Sequence, residues 1–172
     1  MNESAGQEAQ DATARGTSRG IIIGPGQGRT IQGTGAITLI ATAEQTGGSI
    51  GVFEGISPPA DGPPRHIHYG SDELFYILDG EFLFLVGERQ ESVSAGTYVF
   101  VPKGTVHAYK AVGTERGRLL MAFIPGGPER LAEEFVKLST EGEGVNRSSE
   151  QQNKMFAELN EKYDTEFVGP PL

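Results

Sequence analysis

Between residues 21 and 124 the chain is a succession of short apolar or alternating runs, each cut off by glycine, proline or aspartate. Alternation with a period of two marks a strand with one face buried. On that basis strands are predicted over 21–23, 36–42, 49–56, 74–78, 81–86, 97–101, 106–112 and 118–124. Asp79-Gly80, between two of these runs, is a dipeptide that favours a two-residue hairpin. Turn signals recur about every ten residues, the rhythm of a sandwich or barrel rather than of alternating strands and helices.

After Pro125-Gly126-Gly127-Pro128 the period lengthens. Leu131, Phe135 and Leu138 fall at helical spacing over 129–138, and Met155, Leu159 and Tyr163 do so over 149–163. A polar loop at 139–147 separates them, and 165–168 reads as a last, closing strand before Gly169-Pro170-Pro171. Residues 1–19, rich in Ala, Gly, Ser, Gln and Glu with no apolar face, are expected to be a disordered tail. The expected organisation is thus a tail at 1–19, an all-β barrel at 20–126, and a helical segment at 127–172 that covers the barrel or builds a homodimer contact.

Composition narrows the picture. At 172 residues the chain is long enough for one domain with a real core, and its 25 glycines and 10 prolines suit many strands joined by turns. It has no cysteine, so disulfides, thiolate metal sites and thiol nucleophiles are excluded. A net charge of -9 argues against a nucleic-acid partner, which needs clustered Lys and Arg. No segment is apolar enough for a membrane span or a secretory signal, and a cytoplasmic protein is expected.

The chemistry lies in the histidines. There are three in the chain: His66 and His68 sit two apart, and His107 follows Pro102-Lys103-Gly104. Side chains two apart in a strand share a face, so His66 and His68 aim together. Glu73 follows across the short segment Tyr69-Gly70-Ser71-Asp72. Three imidazoles and a carboxylate suit one divalent transition metal, whether Fe, Ni, Mn, Co, Cu or Zn. Four protein ligands on an octahedral ion would leave about two positions open for substrate or dioxygen. Glu73 could act as a ligand, as a base, or as both. Asp72 is its neighbour and is expected to be solvated. Because ligation needs neutral imidazoles, metal should be lost as pH falls below about 6.

The two histidines, Glu73 and Gly80, followed by Gly96, Pro102, Gly104 and His107, together resemble the paired motifs of the cupins. That resemblance implies a single jelly-roll β-barrel. Two positions depart from the pattern: Ala60 stands where a glycine usually opens the first motif, and Ala111 where an asparagine often ends the second. The runs Pro63-Pro64-Arg65-His66 and Glu166-Phe167-Val168-Gly169-Pro170-Pro171-Leu172 resemble bacterial quercetinase-like cupins. This implies a dioxygenase acting on a flavonol-like or other enolic or aromatic small molecule. Two other classes use the same scaffold: a metal-dependent isomerase or cyclase of secondary metabolism, and a non-catalytic small-ligand-binding cupin.

Strand parity suggests the substrate-binding residues. Tyr109 shares a face with His107, and its hydroxyl could donate to an oxyanion. Phe75 and Ile77 share one with Glu73, while Met121 and Phe123 alternate on a later strand whose facing parity leaves open. Glu54, in an apolar run, is expected to be solvated on a sheet edge.

Overall fold

The computed structural model describes residues 20–33, 35–140 and 149–172. The tail expected at 1–19 and most of the loop expected at 139–147 lie outside the described residues. Eleven strands and three helices follow in the order β1 (Arg29–Gln32), β2 (Ala36–Ala41), α1 (Ala43–Thr46), β3 (Gly51–Ser57), β4 (Arg65–His68), β5 (Asp72–Asp79), β6 (Glu81–Val86), β7 (Arg89–Ser94), β8 (Tyr98–Val101), β9 (His107–Ala111), β10 (Gly117–Ile124), α2 (Glu129–Thr140), α3 (Ser149–Tyr163) and β11 (Thr165–Gly169).

The strands form two antiparallel sheets, a six-stranded one ordered β1-β2-β3-β10-β5-β8 and a five-stranded one ordered β11-β4-β9-β6-β7. Strand pairing among the described residues does not join the sheets into a closed barrel, so the jelly roll is two facing layers. The core lies between them. Phe75, Ile77, Phe82 and Leu119 are almost wholly buried there, with Phe53, Phe84, Met121 and Phe123 around them. Register explains the choice of face: β10 sets Met121 opposite Phe75 and Phe123 opposite Glu73. This settles the facing of Met121 and Phe123, which point inward.

The strand pattern was read correctly where one face is buried, and failed where neither face is. Residues 21–23 form no strand, and Ile22 is 97% exposed. The first strand is instead β1, whose sequence RTIQ carries one apolar residue and so shows no alternation. The same holds for β7, RQESVS, an edge strand exposed along most of its length. Asp79-Gly80 does turn the chain, with Gly80 at φ 82. It makes no hairpin, because β5 and β6 belong to different sheets. A turn dipeptide fixes a local bend and says nothing of which strand each arm will pair with. The hairpin partner of β6 is β7. Glu54 is not on an edge either: β3 lies between β2 and β10, and Glu54 pairs with Arg118 at 2.9 Å on the outer face.

The C-terminal segment is tied into this scaffold. β11 pairs with β4, the strand carrying two of the histidines. Leu131 of α2 and Leu159 of α3 are buried, whereas the side chains of Phe135, Leu138 and Met155 lie outside those described. Arg29 of β1 makes a two-pronged ion pair with Glu133 of α2. Glu129, with no exposed surface, accepts the backbone N–H groups of Ala43 and Gly127, at the starts of α1 and α2. Negative charge is favoured at helix N-termini. No helix among the described residues is long and apolar enough to cross a membrane.

Candidate metal centre

His66 and His107 are direct cross-strand partners on β4 and β9, which brings their rings to 4.2 Å between centroids. His68, one pleat further along β4, shares their face at 4.8 Å from His66. The turn Pro102-Lys103-Gly104 fixes the spacing between the two strands, since the Gly104 N–H donates to the His68 carbonyl at 2.8 Å. Glu73 enters from β5 in the opposite sheet, so the cluster bridges both layers. One ligand atom from each of the four lies within 4.8 Å of all the others, and all four residues are buried. Asp72, expected to be solvated, points the other way and accepts the Lys103 N–H at 2.9 Å, bracing the same turn.

The outer nitrogen of each imidazole is occupied. His66 Nδ1 lies 2.8 Å from the Pro64 carbonyl and His107 Nδ1 2.9 Å from that of Thr105. A carbonyl only accepts, so both Nδ1 atoms carry the proton. His68 Nδ1 meets the Thr165 hydroxyl at 2.9 Å, and that hydroxyl donates to the Tyr163 carbonyl at 3.1 Å. Thr165 therefore accepts from His68. All three rings thus hold the tautomer that leaves the Nε2 lone pair for a metal, with partners of the kind that orient ligating histidines. The donor set fits a divalent ion.

His107 Nε2 lies 2.8 Å from a Glu73 carboxylate oxygen, and His68 Nε2 lies 3.5 Å from the same oxygen. Burial pushes the Glu73 carboxyl up, but hydrogen bonds from His107 and His68 outweigh it and hold the group well below the usual carboxylate range. Burial lowers His107, and its bond to Glu73 more than restores it, so its net shift is upward. His66 is driven down to about 3, first by burial and then by the charges of His107 and His68. Phe123 meets His68 edge-on at 5.0 Å and Phe167 lies 5.9 Å from His66, shielding the imidazoles from water.

The cluster opens onto a cavity of about 250 Å³. Phe53, Phe75, Met121, Phe123 and Leu131 supply its apolar wall, and Tyr109 and Ser57 its hydroxyls. Of the expected substrate residues, Tyr109, Phe75, Met121 and Phe123 line it. Ile77 does not: although on the same face as Glu73, it is sealed in the core, fully buried. Parity gives the face, but not the depth along it. Sequence reasoning missed Ser57, Asp61 and Phe53 as lining and Thr165 as a partner of His68. Thr165 stands 97 positions from His68 and carries no local signal of that contact.

A double-layered β fold with an inward, buried His3Glu cluster over an apolar cavity is a jelly roll whose donor set suits one divalent ion. Residues 53–123 match the Cupin domain model, and that stretch of the chain is a cupin domain. It is 29% identical over 150 residues, 86% of its length, to 44% of the quercetin 2,3-dioxygenase of Bacillus subtilis. That likeness is longer than the domain match alone. It is also 29% identical over 72 residues, 42% of its length, to 58% of an uncharacterized protein of Methanocaldococcus jannaschii. The chain thus spans about half the length of the curated relatives it matches. The crystal structure of an RmlC-like cupin from Shewanella frigidimarina superposes with a TM-score of 0.55 at 18% identity, over 66% of this chain and 98% of that one.

Proposed function

We propose that the protein is a mononuclear metal dioxygenase acting on a flavonol-like or other enolic aromatic molecule. The observation that carries this is a buried cluster of three imidazoles and one carboxylate, of which His66, His68 and Glu73 line an apolar cavity. His66, His68, His107 and Glu73 would hold the ion. When bound, a divalent transition metal supplies Lewis-acid stabilisation of an enolate oxygen and open positions for substrate. Glu73 is the one carboxylate of the cluster and takes the enol proton. Its low proton affinity keeps it ionised. Phe75, Met121 and Phe123 hold the ring system and exclude water. At about 250 Å³ the cavity is near the small end of ligand pockets.

The likeness to a quercetin dioxygenase over most of the chain supports the reading. The test is oxygen uptake on a flavonol panel by protein loaded in turn with Fe, Ni, Mn, Co, Cu and Zn, with elemental analysis of each preparation. Uptake with at least one metal is expected, and none with any would refute the dioxygenase. Turnover under argon would identify an isomerase or cyclase instead, and a ligand held unchanged for hours a non-catalytic binder. In the same reading, 20–126 is the catalytic barrel and the protein works as a cytoplasmic homodimer. Exposed Tyr76, Tyr98 and Phe100, contiguous on the outer face of β5 and β8, support self-association. Sedimentation checks it.

A further inference from the structure

The cavity has a second polar pole. Among its lining side chains the polar ones are His66, His68 and Glu73 at one place, and Ser57, Asp61 and Tyr109 besides. Among the described residues no lysine or arginine lines it. Two carboxylates therefore face the apolar cavity, and the three histidines sit with only one of them.

Asp61 is held in place by its backbone. Its N–H donates to the Pro58 carbonyl at 3.1 Å, and its carbonyl accepts the Ala111 N–H of β9 at 2.9 Å. Gly62 follows so close to β9 that a Cβ there would stand 1.9 Å from the Tyr109 carbonyl oxygen. The loop cannot lift away without breaking these contacts. Burial raises the Asp61 carboxyl, and only the Gly62 N–H opposes it. The Tyr109 hydroxyl is hydrogen-bonded to Ser57, and both residues line the cavity beside Asp61.

We propose that Asp61, with the Ser57 and Tyr109 hydroxyls, is a recognition pole for an O–H or N–H donor on the ligand, remote from the oxygen presented to the histidines. The cavity accordingly favours aromatics that carry such a donor. This rests on the proposal above only in placing the ligand's other end at the His3Glu cluster. A hydrogen bond to a charged group is worth enough to shift affinity by about 10- to 100-fold.

The experiment measures binding to metal-loaded protein by calorimetry, with two matched pairs of probes. These are 3-hydroxyflavone against quercetin, and catechol against 4-(2-hydroxyethyl)catechol. The wild type should prefer the donor-bearing member of a pair by about tenfold or more. Asp61→Ala should bring the pair to near parity at unchanged metal content, and Asp61→Asn, which keeps an acceptor, should retain part of the preference. A preference that survives Asp61→Ala, a wild type without one, or a panel in which nothing binds would each overturn the proposal. Failure of both flavonols with an Asp61-dependent catechol pair would sink the flavonol reading and leave this pole standing.

Discussion

Replacing Thr165 with valine removes one oxygen and keeps the shape. That oxygen accepts the His68 Nδ1 proton at 2.9 Å and donates to the Tyr163 carbonyl at 3.1 Å. His68 is 4% exposed and Thr165 3%, so solvent has no easy route to replace the lost partner. A buried donor left unsatisfied costs about 1–3 kcal/mol. Removing the group that orients a ligating histidine typically weakens metal binding about 10–100-fold, which corresponds to about 1.4–2.7 kcal/mol. The two figures agree, because one event, the release of the His68 ring, underlies both. The assay is chelator competition for zinc, with thermal unfolding of the metal-free protein alongside. Thr165→Val should lose about one to two orders of magnitude in affinity, and Thr165→Ser should restore most of it. Wild-type affinity in the valine variant, or equal loss in the serine variant, would show that the hydroxyl does not orient His68.

Further predictions follow from other parts of the molecule. Ile77→Ala should destabilise the fold by about 2–5 kcal/mol without altering ligand affinity, whereas Phe75→Ala should reduce both; equal effects on ligand binding would erase the distinction between core and cavity wall. Ala60 sits at φ 66, a left-handed conformation that costs a residue with a Cβ about 1–2 kcal/mol, against about 0.4–1 kcal/mol for glycine's extra chain entropy. Ala60→Gly should therefore stabilise by about 0.5–1 kcal/mol in chemical denaturation, and destabilisation would contradict the geometry. For pH, the upward shift of His107 means its Nε2 takes a proton at higher pH than a free imidazole, so protons displace metal first there. Bound metal should fall as pH drops below about 6, read by a chromogenic chelator, and full occupancy at pH 5 would refute this.

The metal cluster was legible because its signal is local twice over: His66-x-His68 fixes a shared face, and Pro102-x-Gly104 fixes a turn that delivers His107. Glu73 over Asp72 was legible from motif spacing, and the structure gives the reason, since Asp72 braces the turn of the second motif. The two departures from the cupin pattern prove to be neighbours: the Ala60 N–H donates to the Ala111 carbonyl at 2.9 Å. They mark the loop that carries Asp61. What stayed hidden depends on contacts between sheets. The cavity depth of Ile77, the inward facing of Met121, and the Thr165 contact are set by strand pairings that no short window contains. Edge strands β1 and β7 escaped because exposure on both faces leaves no alternation to read.

The pairing of β11 with β4 also has a consequence in time. A chain emerging from the ribosome presents His66, His68, Glu73 and His107 well before Thr165, and domains fold from the N-terminal side during synthesis. Until the last strand docks, His68 has a ring but no anchor, and β4 lacks a neighbour on that side. A metal ion that arrives early meets an unfinished cradle, with one histidine free to turn away. Tight loading should therefore wait for β11, so that secure capture of the ion reports that this strand has docked on β4.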